Sequence, residues 1–326
     1  MFSSLELQEL ATPTGGQFQV ATLQEAQDFC VRIARTHYEN FPVGSLLVPK
    51  HLQPHVYSVY AFARIADDIA DEHDCTPEER LRALDMVERL LTGSEKTAGN
   101  PVFAALAHTI HTCGIPYTPL QRLLEAFRMD STFTAPRTME DVLFYCERSA
   151  NPVGELVLRI FGLWNDERRA YSDAVCTALQ LANFWQDIAL DRAKGRLFIP
   201  ATWLERHHLK AEHLLKKEPL HEREDRERAC LEACVQELCQ FTMNLFTDGA
   251  KLLPLLPSLR LRAEIALTIA GGTQILRRTA ALGNNILVTR PALGTKDGLS
   301  IARHWVGLMA ASFWRRNSAR THSTTP

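Results

Sequence analysis

No two of the eight cysteines are spaced as C-x-x-C, so neither a vicinal redox pair nor a paired-cysteine zinc ribbon is expected. Their scatter suits free thiols in a reducing compartment. Cys230 and Cys234 could share a helix face near Glu205, His207, His208, Glu212 and His213, but a solvated helix surface explains that cluster without a metal. Glycine and proline are sparse, at 16 residues each in 326. That excludes collagen-like and low-complexity chains and favours helix. Excess charge is missing as well: 36 basic against 38 acidic residues leave a net charge of −2, so no bulk attraction to nucleic acid and no nucleic-acid partner are expected. No long apolar run is present. The most apolar region, residues 252–276, is interrupted by Pro254, Pro257, Arg260, Arg262 and Glu264, whereas a spanning helix needs about 20 mostly apolar residues. The first twenty residues show no basic segment followed by an apolar core, so no secretory leader is expected.

What is present is helical periodicity. Thr22 followed by Glu25 has the spacing of a capping box, opening a helix from Leu23 to Arg35. Pro54 starts a helix that runs to Asp71, and Thr76-Pro77-Glu78-Glu79 starts another. Gly99-Asn100-Pro101 and Gly114-Ile115-Pro116 punctuate further helices. Long helical patterns cover about 139–163, 166–191, 224–250, 258–282 and 296–315. Alternating β-branched runs are lacking, and no internal repeat is found. The reading is an all-α fold of roughly ten helices. Residues 1–20 are expected to be a flexible arm, 21–295 one helical domain, and 296–326 a basic C-terminal helix and tail. The mixed-charge stretch 216–228 reads as a solvated loop and helix face.

Two helices carry carboxylates among apolar residues. In the first, Arg64, Asp67 and Asp71 fall at i, i+3 and i+7 and share a face, with Asp68 on the neighbouring stripe. Alone, that is more often the wet side of an amphipathic helix. In the second, Gln180, Asn183, Asp187 and Asp191 fall at i, i+3, i+7 and i+11. At 100° per residue they form one ridge about 80° wide, between Phe184, Trp185, Leu and Ile. Carboxylates in a half-buried cleft repel each other unless a cation compensates. The cation that suits hard oxygen ligands and substrate phosphates is Mg²⁺. Two facing Asp helices could grip Mg²⁺–diphosphate, with four Asp charges and a diphosphate matched by about three Mg²⁺. Arg64, Lys194 and Arg196 would cover the remainder. The chemistry that follows is ionisation of a diphosphate ester into an apolar pocket.

On these residues the chain resembles the squalene/phytoene synthase family of head-to-head isoprenoid synthases. Tyr60-Ala61-Phe62-Ala63-Arg64-Ile65-Ala66-Asp67-Asp68-Ile69-Ala70-Asp71 is similar to the family's first Asp-rich motif. The second is matched by Asn183-Phe184-Trp185-Gln186-Asp187-Ile188-Ala189-Leu190-Asp191, followed by Gly195-Arg196-Leu197-Phe198-Ile199-Pro200. The likeness covers about residues 25–280. It implies an all-α, single-domain isoprenoid synthase bundle with a central cleft. Within the family, His37-Tyr38-Glu39-Asn40-Phe41-Pro42-Val43-Gly44-Ser45 and Ser149-Ala150-Asn151-Pro152-Val153-Gly154 resemble the hydroxysqualene-forming branch of bacterial hopanoid biosynthesis. Squalene and phytoene synthases typically read Ala-Gly-x-Val-Gly where Asn151-Pro152 interrupts here. They also usually carry an aromatic residue before Ile-Leu where this chain has Gly271-Gly272-Thr273-Gln274.

The resemblance implies that presqualene diphosphate loses diphosphate, rearranges and is captured by water as hydroxysqualene, with no NADPH. It implies Mg²⁺ binding by Asp67, Asp71, Asn183, Asp187 and Asp191. It assigns diphosphate contacts to His37, Tyr60, Arg64, Gln186, Lys194 and Arg196, and the prenyl pocket to Phe41, Gln180 and Val153. Asn151 is the candidate for positioning the capturing water. Taken without the family, His37 would be a capping or core histidine, and Tyr60 and Phe41 core aromatics. The competing readings are a complete squalene or phytoene synthase and a non-catalytic assembly member, the latter having no need of both Asp sets. Past Asp297 the tail has no acidic residue, and Trp305, Leu308, Met309, Phe313 and Trp314 are interleaved with Arg303, Arg315, Arg316 and Arg320. It reads either as a packed terminal helix or as one lying on an anionic membrane. The expectation is a cytoplasmic enzyme touching the inner face of the cell membrane, with transient contacts to pathway enzymes.

Overall fold

The computed structural model describes residues 2–36, 48–71, 74–95, 97, 99–216 and 225–322. No strand occurs among them, and the fold is all-α. The helices are α1 (Ser4–Leu10), α2 (Leu23–Thr36), α3 (Gln53–Ala70), α4 (Pro77–Thr92), α5 (Pro101–Cys113), α6 (Thr118–Ser131), α7 (Met139–Ser149) and α8 (Asn151–Ile160). Then follow α9 (Asp166–Gln186), α10 (Ile188–Ala193), α11 (Ala201–Arg206), α12 (Ala211–Leu215), α13 (Asp225–Gly249), α14 (Leu259–Ala281) and α15 (Gly298–His322). The chain divides into two compact units. One comprises Met1–Phe133 and Pro152–Asn165, the other Thr134–Asn151 and Asp166–Pro326.

In the first unit, local signals set the helix starts. The Thr22 hydroxyl accepts from Glu25 N–H at 3.2 Å, while the Glu25 carboxylate accepts from Thr22 N–H at 3.0 Å. Thr76 and Glu79 repeat the arrangement at α4. Asn100 caps α5 through the N–H groups of Val102 and Phe103. The same Asn100 side chain donates to the carbonyls of Leu10 and Thr12, at 2.9 Å each. Within residues 1–20, expected to be an arm, lies α1, whose Leu7 and Leu10 are buried and whose C-terminal end Asn100 holds through the Leu10 and Thr12 carbonyls. α3 is nearly buried throughout. Phe62 meets Phe103 edge-on at 6.2 Å, and the buried His55 Nδ1 pairs with Thr109 Oγ1 at 3.0 Å. Glu155 of α8 is also buried, and it is held by Arg122 and by Arg159, as a buried carboxylate must be.

In the second unit, α9 and α13 pack closely. The fully buried Trp185 donates its Nε1–H to Thr242 Oγ1 at 2.9 Å. Small residues permit the contacts around them. A Cβ on Gly249 would lie 2.5 Å from Val175 Cγ2, and one on Gly272 would lie 2.5 Å from Phe246 Cζ. α15 is anchored at its start by Asp297, which is 2% exposed and accepts from both Arg278 and Gln274. No helix among the described residues is long and apolar enough to cross a membrane.

Candidate functional site

The first carboxylate pair lies at the C-terminal end of α3. Tyr60 is buried and Arg64 half-buried, while Asp71 lies just past the last helical residue, its N–H bonded to Asp67 O at 3.0 Å. Arg64 spans two acids: its Nη1 is 3.5 Å from Asp67 Oδ2, and its Nη2 pairs with Asp68. Asp68 is buried, so the residue set aside on a neighbouring stripe is the partner that aims Arg64. Its second oxygen, Oδ2, has no hydrogen-bond partner. The Asp67 side chain keeps 43% exposure. Burial, then the charge of Asp71, push its carboxyl up to about 6, against the pull of Arg64. Burial also raises the Tyr60 hydroxyl.

The second pair lies in the other unit. The helical ridge expected over Gln180, Asn183, Asp187 and Asp191 is interrupted. α9 stops at Gln186, and Asp187 (φ −97°, ψ 10°) caps the short α10. The correction is local, because Asp187 N–H still bonds to Asn183 O at 2.8 Å and Asp191 N–H to Asp187 O at 2.9 Å. Gln180 is half-buried and Asn183 exposed. Burial and the charge of Asp187 push the Asp191 carboxyl up to about 6, with Lys194 and Arg196 opposing. Gly195, in the left-handed region at φ +72°, turns the chain so that Arg196 N–H reaches Asp191 O at 2.8 Å. Lys194 is exposed and Arg196 half-buried. Phe184 stacks on Phe198 at 4.0 Å.

Two further expected side chains in this unit are buried and hydrogen-bonded. Gln186 donates its amide to Pro291 O at 2.8 Å and so tethers the 290 segment. Asn151 is buried too, its Oδ1 accepting from Thr177 Oγ1 at 2.9 Å. The tether explains a residue that the sequence reading missed. Arg290 Nε lies 2.5 Å from Asp187 Oδ1, and its Nη2 lies 3.5 Å from Oδ2. This guanidinium sets a positive charge against the Asp187 carboxylate. Arg192, also not singled out, collects the carbonyls of Leu214, Leu287 and Lys216. Val153 is half-buried on α8. His37 and Phe41 lie outside the described residues.

Both pairs offer hard oxygen donors only, with burial and then a neighbouring carboxylate raising Asp67 and Asp191. Carboxylate oxygens of this kind fit Mg²⁺ with several retained waters. No cluster of three or more His, Cys, Asp or Glu that could cage a metal exists among the described residues. A separate cavity of 440 Å³ among α13, α14 and α15 contains none of the expected site residues.

The squalene/phytoene synthase family model matches residues 34–296. The chain belongs to the squalene/phytoene synthase family. It is 33% identical over 251 residues to a hydroxysqualene synthase of Rhodopseudomonas palustris, covering 76% of this chain and 82% of that one. A phytoene synthase of Mycobacterium tuberculosis is 30% identical over 184 residues, covering 56% and 60%. The crystal structure of squalene synthase HpnC from Alicyclobacillus acidocaldarius superposes with a TM-score of 0.69 at 40% identity, covering 81% of this chain and 95% of that one. As a member of this family the chain is an enzyme of isoprenoid biosynthesis, and the family implies a prenyl diphosphate substrate.

Proposed function

We propose that this enzyme ionises presqualene diphosphate and that water captures the rearranged cation, giving hydroxysqualene and diphosphate. The observation that carries the reading is the pair of charge-strained carboxylate sets, with Asp67 and Asp191 each raised to about 6 by burial and a carboxylate neighbour. In the proposal, Asp67, Asp71, Asn183, Asp187 and Asp191 hold Mg²⁺, which when bound neutralises the departing diphosphate. Arg64 remains oriented by Asp68, close to Asp67. Arg290, beside Asp187, would add positive charge toward the diphosphate, as would Lys194 and Arg196. Gln180 and Val153 are the residues the proposal assigns to the prenyl chain. Because Thr177 occupies the Oδ1 of Asn151, it is the Nδ2 amide group that would place a water. No NADPH is required, because water and not hydride ends the sequence. The likeness to the R. palustris enzyme supports this reading.

The likeness to a phytoene synthase supports a second reading, a complete synthase that condenses two prenyl diphosphates. Incubation with farnesyl diphosphate alone, beside presqualene diphosphate alone, separates the two. Under the proposal only presqualene diphosphate is consumed. Turnover of farnesyl diphosphate alone would replace it with the second reading. Because the substrate and product chains are insoluble in water, peripheral contact with the inner membrane face belongs to the proposal.

A further inference from the structure

α15 is an added helix whose two sides have different surroundings. Its inner side is fixed to the second unit. Trp305 Nε1–H donates to Ala263 O at 2.8 Å, Arg316 donates to Leu256 O at 3.0 Å, Leu308 packs on the core and Ser312 is buried. Its outer side shows Leu299 at 75%, Val306 at 56% and Phe313 at 60% exposure. These three recur every seven residues and so lie on one stripe. Ala302 and Ala310 are exposed between them, and Trp314 stands at its end with 75% exposure. The inner and outer assignments differ from the interleaving read in the sequence, since Trp305 and Leu308 point inward.

Beside the stripe lies a groove of 490 Å³ lined by Arg277, Lys296, Leu299, Ser300, Arg303 and His304. No carboxylate lines it. Asp297, the last acidic residue in the chain, is sealed against Arg278 and Gln274 and cannot neutralise these cations. Large apolar side chains exposed along one stripe are what an interaction surface presents. Its basic border selects what it meets. In a two-fold pairing with a second copy, the same patch faces itself, which would set Lys296 and Arg303 against their own like charges. An anionic bilayer offers an apolar layer beneath a negatively charged plane, matching both features.

We propose that the outer face of α15 docks on a bilayer containing anionic phospholipid. Leu299, Val306, Phe313 and Trp314 enter the headgroup–acyl boundary, and Arg277, Lys296 and Arg303 take lipid phosphates in the groove. This deepens the peripheral contact above and rests on that reading for its purpose, namely delivery and release of water-insoluble chains. The test is co-sedimentation of the full chain with vesicles of phosphatidylcholine alone and of phosphatidylcholine with phosphatidylglycerol. The protein should prefer the anionic vesicles, and added salt should weaken that preference. A V306E/F313E variant should bind at least about tenfold more weakly, and K296E/R303E should lose the preference for phosphatidylglycerol. Both variants should keep their helical circular dichroism and their turnover in detergent solution. Equal binding to both vesicle types, or unchanged binding by V306E/F313E, overturns the proposal. So does a dimer seen by light scattering that V306E/F313E dissolves, since a second copy would then cover the stripe. The vesicle result is independent of turnover, so a wrong substrate assignment would fail the product assay and leave the docking intact.

Discussion

Replacing Asp67 by Asn should stabilise the metal-free protein while impairing its function. The Asp67 carboxyl sits at about 6, well above its ordinary 3.8, because of burial and the charge of Asp71. At about 1.4 kcal/mol per tenfold in proton affinity, that difference is worth up to about 3 kcal/mol. With 43% of the side chain exposed, solvent screening reduces this to about 1 kcal/mol. The sign follows from proton linkage. Between 3.8 and 6 the folded chain holds a proton that the unfolded chain has lost, so stability from this group falls as pH rises. Asn removes the charge, and Arg64 keeps Asp68 as its partner. Urea unfolding in EDTA should therefore show Asp67→Asn about 1 kcal/mol more stable than wild type at pH 8, with the gain vanishing below pH 4. Mg²⁺ with inorganic diphosphate should raise the melting temperature of wild type far more than that of the variant. A variant no more stable at pH 8, or equal protection of both proteins by Mg²⁺, would refute the reasoning.

Arg290→Gln frees Asp187 from its guanidinium. It should tighten Mg²⁺ binding without diphosphate, by calorimetry, yet lower kcat/KM by about tenfold or more through loss of a charge-assisted contact. Gly272→Ala places a Cβ 2.5 Å from the Phe246 ring, and chemical unfolding should show a loss of about 1–3 kcal/mol from overpacking. Arg278 and the Gly294 N–H hold the Asp297 carboxyl down at about 2. The stability it contributes should be present above pH 3.8 and be lost as pH falls towards 2, a pH dependence that thermal melts of Asp297→Asn should lack.

Much of the fold was legible because its signals are local. Thr22 with Glu25, and Thr76 with Glu79, act across three residues, so their spacing is visible in the sequence and reappears as paired hydrogen bonds. α1 was not legible, since what holds it is Asn100, ninety residues away from Leu10. The stop at Gln186 was hidden because apolar periodicity continues unbroken through Asp187 and Ile188. Arg290 stands 103 residues from Asp187 on a loop, where no periodicity singles out one arginine among many. The buried role of Gln186 has the same origin, as its partner is the backbone of that loop. The face of α15 was ambiguous for the opposite reason: apolar residues lie all round it, and only the packing of Trp305 and Leu308 shows which side is inward.

The claim at the centre of the account is that the enzyme performs a water-terminated ionisation. Product analysis by mass spectrometry after incubation with presqualene diphosphate and Mg²⁺, with and without NADPH, tests it most directly. The account predicts hydroxysqualene in equal amounts in both reactions, carrying one oxygen from labelled water. Squalene formed only when NADPH is present, with no labelled alcohol in either reaction, would contradict it.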